Sequence, residues 1–102
     1  MNDENIVLFA RLKVKPGTEN GAKRAALAIV EASRAEEGCL NYDMHQAADD
    51  PTVFMWHETW DSKESINGHA NSAHFKEFSA AIENFTEESL QVTLTKMVSE
   101  KR

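Results

Sequence analysis

Four stretches of the chain alternate apolar and polar residues with a period of two, and two others repeat near 3.6, which predicts four strands and two helices. Ile6-Val7-Leu8-Phe9-Ala10 is apolar on both faces and continues as Arg11-Leu12-Lys13-Val14-Lys15, which alternates, so the first strand is covered on both sides at its start. Pro16-Gly17 ends it in a turn. Thr18 is placed to cap a helix running to about Glu36, with Ala22, Ala25, Ala26, Ile29, Val30 and Ala32 as its apolar stripe and Gly38 as its stop. Cys39 to Gln46 alternates again, setting Leu40, Tyr42 and Met44 against Asn41, Asp43 and His45. The loop Ala47–Pro51 joins it in a hairpin to Val53–Trp60. There Phe54, Trp56, Glu58 and Trp60 share one face, with Met55, His57 and Thr59 on the other. Asp61 and Glu64 have capping-box spacing ahead of a second helical region in which Ile66, His69, Ala70 and Ala73 keep the helical period. Asn71-Ser72 interrupts it, and Phe75, Phe78, Ile82 and Phe85 follow as an inward stripe. Leu90 to Val98 is the last strand, with Leu90, Val92, Leu94 and Val98 on one face and Thr93 and Thr95 on the other.

The order β-α-β-β-α-β predicts an α+β, ferredoxin-like fold, with two helices on one face of a four-stranded antiparallel sheet. Such a sheet leaves its second face open, and Val7, Phe9, Val53 and Met55 fall on it. An apolar open face asks for a partner, and a symmetric homodimer supplies one. With 102 residues, no repeat and no linker, the chain reads as one domain over 1–102, with a core of about 6–98 and disordered tails at 1–4 and 100–102.

Composition narrows the partners. A hydrophobic content of 41% and a charged content of 27% fit a globular protein. No apolar run approaches the ~20 residues that span a bilayer, and the opening Met-Asn-Asp-Glu-Asn is acidic where a signal peptide is basic. A single cysteine, Cys39, gives no intrachain disulfide, and a cytoplasmic location is expected. The net charge of -6 is spread along the chain, which speaks against nucleic acid and anionic membrane as partners, since both need a basic footprint.

The candidate chemistry gathers around the third strand. Glu58 lies between Trp56 and Trp60, and carboxylates are rarely buried without a partner. The nearest groups able to supply one are His69 and His74. Five residues apart, they stand about 140° around a continuous helix, off the i, i+4 spacing of a helical metal pair, and no Cys/His cluster compensates, so no metal is expected. His69 reads either as a hydrogen-bonded histidine at the core edge or as a base facing a pocket, its tautomer fixed by Glu58. His45 and His57 read as surface or interface residues. Trp56, Trp60, Tyr42, Phe75 and Phe9 supply aromatic walls, and with those titratable groups they fit a mostly apolar ligand pocket. The four glycines, at 17, 21, 38 and 68, are scattered, so no phosphate-cradling loop or dinucleotide fingerprint is present.

Three ordered pieces resemble a known family: Glu36-Glu37-Gly38-Cys39-Leu40-Asn41-Tyr42, Glu58-Thr59-Trp60, and His69-Ala70-Asn71-Ser72-Ala73-His74. They match the E-x-G-C-x-x-Y, E-x-W and H-x4-H pattern of the antibiotic biosynthesis monooxygenase domain, over about Val7 to Leu94, and most resemble its small quinol monooxygenase-like members. The resemblance implies a dimeric α/β barrel, two such sheets face to face with the helices outside. It also implies oxygenation of a phenolic or quinol-type aromatic substrate by O2, with no metal, flavin or other cofactor. In that reading His69 or His74 assists deprotonation, Trp60, Trp56 and Tyr42 hold the ring, and Glu58 orients a histidine. The haem-degrading branch of the domain carries Asn, Trp and His where this chain has Ala10, His69 and Ser79, which speaks against haem ligation. Two alternatives stand beside the enzyme. One is a non-catalytic small-ligand-binding dimer. The other is an isomerase of a small phosphorylated carbonyl compound, for which Arg11 and Arg34 are the basic candidates, because fold alone does not fix chemistry.

Overall fold

The computed structural model describes residues 5–100; of the expected tails at 1–4 and 100–102, residues 1–4 and 101–102 lie outside that range. Eight elements follow in order: β1 (Ile6–Val14), α1 (Glu19–Leu27), α2 (Val30–Arg34), β2 (Cys39–Gln46), β3 (Val53–Trp60), α3 (Lys63–Ala70), α4 (Ala73–Ile82) and β4 (Thr86–Thr95). The strands form one antiparallel sheet in the order β2-β3-β1-β4, as the ferredoxin-like reading requires.

Strand alternation decides which side chains meet the helices. Leu8, Ala10, Leu12 and Val14 from β1, Phe54, Trp56, Glu58 and Trp60 from β3, and Tyr42 from β2 are buried beneath Ala22, Ala26, Ile29, Val30, Phe78 and Ile82. Trp60 and Phe54 are the largest fully buried side chains, and each contributes roughly 2–3 kcal/mol by leaving water. Two rows run across the sheet. Tyr42, Glu58 and Leu8 lie side by side, and Met44, Trp56, Ala10 and Val92 form the next row. Ala10 is the small member of its row and leaves space above the sheet.

Several local readings are corrected. The first helix is two segments, broken where Ile29 takes φ -104 and ψ 4, and the offset lets Ile29, Val30 and Ser33 all face the core. Thr18 does not cap it with its side chain; its hydroxyl donates to the Lys15 carbonyl instead. Ser62, not Asp61, caps α3, accepting from the Ser65 N–H at 3.1 Å, while the Asp61 carboxylate accepts from both serine hydroxyls. Gly38 is needed for close approach and not for a left-handed stop, since a Cβ there would collide with the Ser65 side chain. Leu40 is exposed, because β2 carries an extra residue between the Cys39–Trp60 and Asn41–Thr59 pairs, and Cys39 packs on the core in its place. β4 begins at Thr86 and ends at Thr95, which leaves Val98 beyond the sheet and exposed. On the face away from the helices, Phe9 (47%) and Met55 (44%) are exposed, whereas Val53 is buried.

Candidate functional site

The break between α3 and α4 builds the centre of the site. Ser72 takes extended backbone at φ -72, ψ 156, its hydroxyl oxygen accepts from the Phe75 N–H, and its O–H donates to the His69 carbonyl at 2.6 Å. This hinge turns His74 in the first turn of α4 toward the same point as His69 in the last turn of α3. They meet at Glu36. His69 Nδ1 stands 2.7 Å and His74 Nε2 2.6 Å from one carboxylate oxygen, Glu36 Oε2. Each contact needs a proton, so the neutral rings carry Nδ1–H on His69 and Nε2–H on His74. His69 Nε2 is left as an acceptor. The ring is wedged among Trp60 (centroids 4.9 Å), Phe75 (5.2 Å) and Tyr42 (5.5 Å), which fixes its plane.

Glu58 has a different partner from the one expected. Its Oε1 accepts from the Trp60 indole N–H at 2.8 Å, the neighbour two residues along the same strand face, and Glu36 takes the role toward both histidines that the sequence reading gave to Glu58. Glu58 is only 5% exposed. Burial pushes its carboxyl up to about 7, with the Glu36 charge adding to the rise and the Trp60 hydrogen bond opposing it. Burial likewise raises the Tyr42 hydroxyl and the Cys39 thiol, the latter to about 11, so Cys39 is a packing residue and not a nucleophile.

A cavity of about 100 Å³ lies between this sheet face and the helices, lined by Leu8, Ala10, Tyr42, Trp56, Glu58, Ile66, His69, Ala70, Phe75, Phe78, Leu90 and Val92. Among its lining residues Glu58 and His69 bring polar groups to a mostly apolar, aromatic wall that includes Tyr42. The Trp56 indole N–H is buried without an acceptor. Phe75, Phe78 and Leu90 also border a wider open groove of about 720 Å³ between α4 and β4.

Of the residues singled out from sequence, the cavity brings together Glu58, His69, Trp56, Tyr42 and Phe75. It does not include three others. His74 stands behind it with Nε2 on Glu36, Trp60 is fully buried behind Glu58, and Phe9 lies on the opposite sheet face, stacked on His57 at 5.3 Å. Alternation alone separates Phe9 from its neighbours Leu8 and Ala10. Glu36 is the residue that sequence reasoning missed. A signal existed: an acid two residues past the last helical residue, Arg34, sits near the negative end of the macrodipole, which asks for a compensating partner.

The model of the family "Antibiotic biosynthesis monooxygenase" matches residues 5–81. A protein of Bacillus subtilis named "Putative monooxygenase YcnE" is 33% identical over 92 residues, 90% of this chain and 97% of that one. The crystal structure of PA3566 from Pseudomonas aeruginosa superposes with a TM-score of 0.90 at 29% identity, covering 97% of this chain and 99% of that one. The structure of Rv0793 from Mycobacterium tuberculosis, at 22% identity and a TM-score of 0.89, covers 97% and 100% and shares the fold.

Proposed function

The chain belongs to the antibiotic biosynthesis monooxygenase family, and from that premise we propose that it oxygenates a single-ring quinol or phenol with O2, without a cofactor. The observation that carries this reading is a buried carboxyl and a buried imidazole facing one small aromatic cavity. An apolar cavity of roughly 150 Å³ holds one benzene ring, so about 100 Å³ favours a single-ring ligand admitted with some side-chain movement.

The chemistry balances with these groups alone. A quinol hydroxyl gives its proton to the Glu58 carboxylate while a second hydroxyl donates to His69 Nε2. The electron-rich phenolate passes an electron to O2, and the two radicals combine at a ring carbon bearing hydrogen. One oxygen atom stays on that carbon. The peroxide takes the proton back from Glu58. The C–H bond at that carbon then breaks, with its electron pair forming C=O as the O–O bond breaks. The outer oxygen leaves as water with both protons, and the quinol becomes a hydroxyquinone. Trp56, Tyr42 and Phe75 hold the ring flat and keep water out. His74 contributes by holding Glu36, and Trp60 by donating to Glu58.

The isomerase alternative finds less support. Arg11 pairs with Glu88 and Arg34 with Asp43, neither lines the cavity, and no lysine or arginine among the lining residues could meet a phosphate. We also read the protein as a cytoplasmic homodimer built from one domain per chain. No helix among the described residues is long and apolar enough to cross a membrane, and Phe9 and Met55 are exposed on the free sheet face.

Oxygen uptake with a panel of single-ring quinols tests the activity. Glu58→Gln is expected to lower kcat/KM by about 100-fold or more, with the wild-type rate rising from pH 6 to 8 as Glu58 ionises. Uptake unchanged in Glu58→Gln would reject the assignment. Ligand-induced melting shifts without uptake would favour the binding dimer.

A further inference from the structure

Glu36, His69 and His74 make a second assembly, beside the cavity, whose geometry invites a different occupant. One imidazole nitrogen from each histidine and one carboxylate oxygen lie within 4.8 Å of one another. We propose that these three side chains bind a divalent transition-metal cation of the zinc, cobalt or copper class, which leaves further coordination positions open to water.

Two neutral imidazoles and a carboxylate are the donor set such cations prefer, where magnesium or calcium would want oxygens. The convergence is built by the fold. On an unbroken helix the two histidines would diverge, and only the hinge at Asn71-Ser72 aims both at one oxygen across sequence gaps of 33 and 38 residues. Charge points the same way. Glu36 and Glu58 are both largely buried acids, close enough for Glu36 to raise Glu58, and among the described residues no lysine or arginine pairs with either. A cation would meet that local negative charge. Access is open on one side, where the side chains of Glu36 and His74 are 19% and 23% exposed.

The adjustment needed is small. Donor atoms about 2.1 Å from a shared cation stand roughly 3.0–3.4 Å apart, so the contacts now at 2.6 and 2.7 Å open by less than about 1 Å, while the two imidazole nitrogens, within 4.8 Å of each other, draw together by up to about 1–2 Å. Loading has a consequence for the cavity. With Nδ1 of His69 on the metal, the neutral ring must carry its proton on Nε2, and the acceptor offered to a quinol hydroxyl becomes a donor. The inference therefore goes beyond the oxygenation reading, and a loaded site opposes that reaction instead of supplying it.

The test needs no turnover. Zinc chloride is titrated calorimetrically into chelator-treated protein, and copper(II) is added in parallel for electron paramagnetic resonance. The expected result is one zinc per chain with micromolar or tighter affinity, weakened at least about 100-fold in Glu36→Gln and in His74→Ala, and unchanged in Cys39→Ser. The copper spectrum of the native protein should show coupling to two nitrogens. In ¹⁵N-edited spectra, zinc should move the His69 proton from Nδ1 to Nε2. Millimolar binding, affinity that survives Glu36→Gln, or a copper spectrum with fewer than two nitrogens would overturn the assignment. Oxygen uptake by the metal-free protein tests the separate oxygenation reading, so either can fail alone.

Discussion

Glu58 spends part of the neutral pH range protonated, because its carboxyl has left water and gained one indole N–H in return. Its folded value of about 7 lies above the ordinary carboxyl value of 4.5, so its contribution to stability is complete below about pH 4.5 and disappears as the pH rises through about 7. The loss is about 3 kcal/mol. Glu58→Gln keeps the size and the acceptor for Trp60 while removing the charge, so denaturant titrations should show it more stable than the parent at pH 8 and little changed at pH 4.5. A parent whose stability is flat between these limits would refute the buried-acid reading. At this scale the sequence was partly legible. Two flanking tryptophans marked Glu58 as unusual, but whether it would bond an indole two residues away or a histidine on a distant helix is decided by side-chain reach, which spacing does not encode. Glu36 was quoted only as one letter of a motif, since its partners lie 33 and 38 residues downstream.

Among the elements, the hinge between α3 and α4 matters most, and Ser72 holds it from both sides. Ser72→Ala should destabilise the protein by about 1–2 kcal/mol, the range for losing an N-cap, and should also loosen the contact of His74 with Glu36. Thermal melts check the first, and the His74 ring resonances the second. Ser62→Ala removes a comparable cap from α3 and should cost about 1 kcal/mol while leaving the His74 resonances in place. The interruption could be read in advance because Asn-Ser is poor in a helix interior. The split between α1 and α2 could not, as Ala28-Ile29 carries no breaker and the break answers packing on the sheet. Thr86 to Ser89 was also opaque: it forms the first four of the ten residues of an edge strand with little covering it, so no alternation marks it.

For the whole molecule, the open sheet face is the unresolved demand. Phe9 and Met55 stand exposed beside His57, Arg11 and Thr93, a mixed surface suited to a second copy. Light scattering at micromolar concentration should give a dimer, and Phe9→Glu should shift it toward monomer while leaving the circular dichroism unchanged. A monomeric parent would leave this face without an occupant. Architecture was the most legible level, since alternation, the Pro16-Gly17 turn and two helical stripes admit few topologies. The identity of what covers the free face is not encoded in one chain's periodicity.

Two phenylalanines and a leucine belong to the walls of both the small cavity and the open groove beside it. If a molecule enters the cavity from the groove past Phe75, Phe78 and Leu90, movement of those side chains should set the pace of capture once solute is abundant. Plotted against concentration, stopped-flow binding rates should bend to a plateau, and shortening Phe78 to alanine should lift that ceiling.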